Sequence, residues 1–179
     1  TGWQFISNNW YYLAKDTGIM YADGWYADPD SKTMYYFYKW GGAARNTTLT
    51  LNGYRVKFLS WGGISGSTWI YRDGNWYYVQ KYSCVGGGWH QIDKAWYFMN
   101  DDGSMKRNES FIYQNNLYFV NKGGKMYQNQ WLNWNGNYYY LRSWGGAAHE
   151  GWLHLGSKWY FINEDGTRKT NETFTYQNN

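Results

Sequence analysis

Proline is almost missing from this chain of 179 residues, with one copy, and so is cysteine. A single thiol, Cys84, leaves no internal disulfide to staple the fold. No stretch approaches the roughly 18 consecutive apolar residues that a membrane helix needs, so no membrane insertion is expected. Aliphatic residues are few beside 22 glycines, which argues against helices. Charge of one sign is weak as well. Lys and Arg number 17 against 13 Asp and Glu, a net +4, and the basic residues are scattered. A nucleic-acid binder gathers them on one face or helix, so nucleic acid is not an expected partner. No leader is visible, since the chain opens on Thr1-Gly2-Trp3 in mid-pattern, and a piece of something longer is expected.

What the chain has in excess is rings: 14 Trp, 21 Tyr and 8 Phe, 24% of all residues. They recur. An aromatic triplet closed by an aliphatic residue appears as Trp10-Tyr11-Tyr12-Leu13, Trp76-Tyr77-Tyr78-Val79, Trp96-Tyr97-Phe98-Met99, Tyr138-Tyr139-Tyr140-Leu141 and Trp159-Tyr160-Phe161-Ile162. Met34-Tyr35-Tyr36-Phe37 and Leu117-Tyr118-Phe119-Val120 are variants, and a degenerate copy runs from Arg55 to Leu59 with its register open by one residue. Seven residues before a triplet stands a second aromatic, as in Trp3 to Trp10 or Trp152 to Trp159, with Asn, Asp or Gly between them. Two short strands joined by such residues predict a β-hairpin.

The repeat therefore predicts an all-β solenoid of about eight stacked short β-hairpins, near residues 1–22, 23–44, 45–66, 67–86, 87–107, 108–128, 129–149 and 150–170. Asn171-Glu172-Thr173-Phe174 copies Asn108-Glu109-Ser110-Phe111, which predicts a truncated ninth repeat at 171–179. A lone hairpin is marginal in water, so stability is expected between units. Connecting loops are of two kinds, Asp-Gly or Gly-Gly turns and the Trp-Gly-Gly segments at Trp40, Trp61 and Trp144. The loop tryptophans are read as closing the stack, with exposed platforms for sugar rings as the alternative.

Catalysis and metals find little support. His90, His149 and His154 have no Cys or acidic companions at ligand spacing, and no cofactor is expected. Asp101, Asp102, Glu164 and Asp165 fall in turns, where Asp serves by bonding nearby backbone. An enzyme is not expected, although the chain suits the targeting module of one.

Gly2-Trp3, Trp10-Tyr11-Tyr12-Leu13 and Gly18-Ile19-Met20 resemble the cell-wall-binding repeat, as do Gly88-Trp89, Trp96-Tyr97-Phe98-Met99 and Asp102-Gly103-Ser104-Met105. This superfamily includes choline-binding and glucan-binding repeat modules of Gram-positive surface proteins. The resemblance implies a secreted or cell-surface module whose ligands sit between successive hairpins, walled by the leading Trp, the first triplet aromatic and a Tyr of the next hairpin. Carried over by position, the implied cages are Trp3, Trp10 and Tyr35 with Met20 as floor; Trp69, Trp76 and Tyr97; Trp89, Trp96 and Tyr118; and Trp131, Tyr138 and Tyr160. Trp152 and Trp159 would begin a fifth that lacks its partner. Met34 and Leu117 break the pattern, and the third hairpin has no Trp at either wall, so fewer cages than hairpins are expected.

Two ligand classes remain open. A quaternary ammonium cannot donate a hydrogen bond and suits aromatic cages, which implies a choline-decorated cell-wall polymer. Positive net charge and the extra loop tryptophans suit an α-glucan such as dextran or starch instead. A third reading is a structural or host-receptor-binding repeat.

Overall fold

The computed structural model describes residues 1–170. Hairpins follow one another along the chain: β1 (Gly2–Ile6) with β2 (Asn9–Leu13), β3 (Gly24–Ala27) with β4 (Met34–Phe37), and β5 (Thr47–Leu51) with β6 (Tyr54–Phe58). Then come β7 (Thr68–Arg72) with β8 (Asn75–Gln80), joined by a short β9 (Ser83–Cys84), and β10 (Gly88–Ile92) with β11 (Ala95–Met99). The last three are β12 (Glu109–Tyr113) with β13 (Asn116–Val120), β14 (Gln130–Trp134) with β15 (Asn137–Leu141), and β16 (Gly151–Leu155) with β17 (Lys158–Ile162). The all-β hairpin class read from the repeat is the class observed. Among the described residues there is no helix, and every sheet has two or three strands.

Turn chemistry fixes the hairpins. A two-residue connection continues the strand twist only with positive φ at both central residues. Asp73-Gly74 and Asn135-Gly136 meet this with 50° and 81°, and 52° and 86°. Gln114-Asn115 holds the same geometry, 46° and 63°, without glycine. Registers follow: Trp3 pairs with Tyr12 and Gly2 with Leu13, as Trp131 pairs with Tyr140 and Gln130 with Leu141. In the third hairpin Thr48 pairs with Lys57 and Thr47 with Phe58, so its triplet is Arg55-Val56-Lys57 closed by Phe58. The open register is thereby settled. The second hairpin has a longer turn around Pro29, where the Asp28 carboxylate accepts the Ser31 amide at 2.8 Å and the Ser31 hydroxyl at 2.9 Å.

From the second hairpin onward the residue closing the triplet is almost wholly buried, whereas Leu13 in the first is half-buried. Phe37, Phe58, Val79, Met99, Val120, Leu141 and Ile162 are all 1% exposed or less. After six of the eight described closing strands the chain turns and, six residues on, bridges back: Phe37 to Ala43, Phe58 to Ile64, Met99 to Met105, Val120 to Met126, Leu141 to Ala147 and Ile162 to Arg168. Leu13 bridges to Met20, and Val79 pairs with Cys84. The bridging residue also reaches the preceding hairpin. Its amide donates to the carbonyl of that hairpin's first triplet residue, from Ala43 to Trp10 at 2.8 Å, Met126 to Trp96 at 2.9 Å, Ala147 to Leu117 at 2.9 Å and Arg168 to Tyr138 at 2.7 Å. Where the loop carries Asp, that side chain folds it: Asp102 accepts the Ser104 amide and hydroxyl, and Asp165 those of Thr167.

Contacts divide the chain into two compact units, Thr1–Trp89 with Met99–Met105, and His90–Phe98 with the described residues from Lys106 onward. The first holds two buried clusters, one around Phe58, Ile64, Ile70 and Val79 and one around Tyr12, Tyr26 and Phe37. The second is centred on Phe119, Leu141 and Ala147. Leu141→Ala is expected to cost about 2–5 kcal/mol through lost burial and the cavity left behind. Ile112→Ala, at a side chain 75% exposed, should change little, and urea titrations of the two variants test the contrast.

Burial also raises the phenols of Tyr35, Tyr36, Tyr118 and Tyr139 above their ordinary value. Hydrogen bonds from the Ser31 amide and from the Ser104 and Thr167 hydroxyls lower Asp28, Asp102 and Asp165. A raised phenol holds its proton longer folded than unfolded, so that stabilisation is lost as pH climbs past about 10. A lowered carboxylate stabilises above about pH 4, and that contribution is lost as pH falls through its folded value. The melting temperature should form a plateau between, and a rise from pH 9 to 11 in thermal melts would contradict this assignment.

Candidate functional site

Strand alternation decides which rings can meet. Successive side chains point to opposite faces, and residues paired across a hairpin share a face. In β1–β2, Trp3, Phe5, Trp10 and Tyr12 therefore lie together, because Trp3 pairs with Tyr12 and Phe5 with Trp10. In β3–β4 the second triplet residue, Tyr35, shares its face with Tyr26 and Phe37. The first group meets the second. Trp3 stands 4.6 Å from Tyr35 and 5.7 Å from Phe37 between ring centroids, and Tyr12 stands 4.4 Å from Tyr26. Tyr12, Tyr26 and Phe37 are buried and seal the junction.

Outside that seal the remaining rings frame a cleft of about 380 Å³, lined by Trp3, Trp10, Tyr35 and Trp61. Trp3 and Trp10 stand 6.4 Å apart at 82°, and Tyr35 and Trp61 6.3 Å apart at 77°. Such steep angles make walls of the rings, where a parallel stack would fill the space. Three of the four were expected from the repeat; Met20 and Trp61 differ from expectation. Met20 lies against Gly41, where an added Cβ would overlap its thioether, and it does not line the cleft.

Trp61 comes from the loop two hairpins ahead. Its ring lies over Gly63 of its own loop, so that a Cβ there would overlap it, while Gly62 (φ +98°) sits beside Tyr35. Trp40 covers Gly42 and Trp144 covers Gly146 in the same way. Trp40 reaches Tyr11 at 6.0 Å, and Trp144 reaches Tyr118 at 6.0 Å. These tryptophans thus fold their own loops and still stay about half exposed, 46–52%. The Trp-Gly-Gly signature was visible in the sequence, but the direction of the loop was not.

The fourth expected cage shows the same construction in β14–β15 and β16–β17. Tyr160 lies 4.9 Å from Trp131, across the junction. Tyr138 joins them through a side chain of the chain itself: the Arg168 guanidinium lies 5.3 Å from the Trp131 ring centroid and 4.6 Å from that of Tyr138. Trp152 and Trp159 occupy the equivalent walls of the eighth hairpin and are 54% and 62% exposed. The ninth repeat at 171–179 lies outside the described residues.

The two remaining sets draw on both units and stay expectations of the sequence. Trp69 packs on Tyr78 at 5.0 Å, and Trp76 on Tyr71 and Tyr54 at 5.1 and 5.4 Å, all in the first unit. Tyr97, Trp96 and Tyr118 belong to the second unit, and Trp89 to the first. Cys84, the single thiol, is pushed up to about 11 by burial.

Residues 1–20, 87–105, 129–147 and 150–167 match the family model for the cell wall binding repeat of the choline-binding type. No curated protein matches the chain by sequence. Among solved structures, choline binding protein F from Streptococcus pneumoniae, in the presence of a peptidoglycan analogue, is similar over 95% of this chain with 28% identity and a TM-score of 0.55. The modular autolysin LytC from Streptococcus pneumoniae, in complex with a synthetic peptidoglycan ligand, is similar over 94% with 26% identity and a TM-score of 0.55. CbpJ from Streptococcus pneumoniae TIGR4 gives 94%, 26% and 0.55. The chain spans 58% of choline binding protein F, 38% of LytC and 58% of CbpJ. By its hairpin repeat, its aromatic junctions and these matches, the chain belongs to the cell-wall-binding repeat superfamily of choline-binding modules.

Proposed function

We propose that this chain is a non-catalytic anchor at the bacterial cell surface, holding choline groups of an envelope polymer in cages between its hairpins. The observation that carries the reading is the cleft of Trp3, Trp10, Tyr35 and Trp61, four rings around about 380 Å³ with no carboxylate in its lining. Such a volume lies at the small end of the 300–1,000 Å³ common for ligand sites. A trimethylammonium group offers no hydrogen-bond donor, so ring faces and apolar contact are what can hold it, each ring adding on the order of 0.5–2 kcal/mol. Burial keeps the Tyr35 phenol protonated, which leaves a neutral ring as that wall. The resemblance to choline binding protein F points to the same ligand chemistry.

One such cage is weak. Several on one array gain avidity when the ligand repeats along a polymer, which suits a choline-decorated cell-wall polymer better than a free metabolite. A teichoic acid backbone is anionic through its phosphates, so a net +4 assists approach to the polymer even though it does nothing for the ammonium group.

Tryptophan fluorescence titrated with choline, and in parallel with soluble α-glucan oligosaccharides, tests the reading. A saturable response to choline in the millimolar range is expected. Trp10→Ala and Trp61→Ala should each weaken the response of this cage by about 2- to 30-fold while far-UV circular dichroism stays unchanged. A response to a glucan alone would move the function to polysaccharide capture. Silence towards both ligands would leave a structural or receptor-binding role.

A further inference from the structure

We infer that the cage of Trp131, Tyr138 and Tyr160 is occupied by the chain's own Arg168, and that this residue withholds it from quaternary ammonium ligands. The inference rests on the reading of the junctions as cation cages. Position decides it. Arg168 is the loop residue that bridges back to the residue closing its triplet, Ile162, and its amide donates to the Tyr138 carbonyl at 2.7 Å. At the open cleft the same place belongs to Ala43, which bridges to Phe37 and donates to the Trp10 carbonyl at 2.8 Å. The two cages thus share the backbone hydrogen bond and the leading Trp with a Tyr of the next hairpin. They differ in the first triplet ring, Trp10 against Tyr138, in the added wall of Trp61, and in the bridging side chain. An alanine ends at its Cβ and leaves the space between the rings free. An arginine sends a cation into it.

The guanidinium behaves as a ligand would. Its Cζ lies 5.3 Å from the Trp131 centroid and 4.6 Å from that of Tyr138, inside the roughly 6 Å reach of cation–π attraction for both. Among the described residues, its Nε is buried without a hydrogen-bond partner and no carboxylate forms an ion pair with it. Ring faces are therefore the counterpart its charge has found. At the other bridging positions stand Met20, Ala43, Ile64, Met105, Met126 and Ala147, all uncharged. A choline group would need the same faces of Trp131 and Tyr138 and would have to displace a tethered cation, whose effective concentration is far above that of a free ligand.

The experiment is a choline titration of the 179-residue chain followed by the indole N–H resonances of Trp3 and Trp131, assigned through Trp→Phe variants. In the unaltered chain choline should move Trp3 and leave Trp131 in place, or move it only at about tenfold higher concentration. Arg168→Ala, which copies position 43, should let Trp131 respond over the range that moves Trp3. Arg168→Met, which copies positions 105 and 126 and keeps the apolar stem, serves as the second variant should the first fold poorly. Equal response of Trp131 and Trp3 in the unaltered chain would overturn the inference. So would a Trp131 that stays silent in both variants while Trp3 responds. Silence of both residues in every chain would remove the choline reading itself, and this inference with it.

Discussion

A two-stranded hairpin has no inside. Each of its faces meets either water or another hairpin, and alone it is marginal. Among the described residues, buried ring contacts therefore gather at junctions, where one hairpin's lead-side rings meet the second-triplet face of the next. Trp3 against Tyr35 and Phe37, and Tyr12 against Tyr26, are such contacts. The apolar residue closing most triplets fills the inner part of a junction, and the more exposed rings line its outer part. With one proline, one cysteine and few aliphatic side chains, little else is available to hold the fold.

Binding sites come out of the same constraint. Aromatic side chains prefer edge-to-face or offset contact over parallel sandwiches, and where the outer rings of a junction stand steeply, as Trp3 to Trp10 and Tyr35 to Trp61, they leave concave space between them. The cleft at Trp3, Trp10 and Tyr35 is that space, extended by Trp61 from a later loop. Stability and recognition are for this reason hard to separate by mutating a wall. Trp3 touches both the buried seal and the cleft, whereas Trp10 and Trp61 are 37% and 46% exposed and belong more to the cleft.

Much of this was legible from the chain alone, because periodicity is a strong signal when each repeat is one supersecondary unit. The triplet with its aliphatic end marks the second strand of every hairpin, and strand alternation places its middle residue on the next junction. Three of the rings around the open cleft, and the grouping of Trp131 with Tyr160, were implied by the resemblance to the cell-wall-binding repeat, carried over by position. Loop trajectory was not legible. Trp61 reaches back over Tyr35 because two glycines let its ring fold onto its own loop, and Met20 packs against Gly41 of the next loop, a tertiary contact. The short β9 and the register of the third hairpin also depended on contacts that lone sequence spacing does not encode.

A repeat array that needs its junctions for stability cannot delete a cage without weakening the stack. At the Trp131 and Tyr138 junction it is the bridging loop residue, Arg168, whose side chain meets the cage rings, while its counterparts Ala43, Ile64 and Ala147 are buried in the junctions. At that position an alanine, a methionine and an arginine all keep the backbone bridge and its hydrogen bond to the previous hairpin. Their side chains differ in volume and charge alone. On the proposed function, the number of open cages, and with it avidity for a repeating polymer, would be set by such loop residues while the aromatic junctions stay as they are. On this view Arg168 costs the array one ligand site and leaves the stack intact, since the cation that closes the cage also satisfies the ring faces that an empty cage would expose to water.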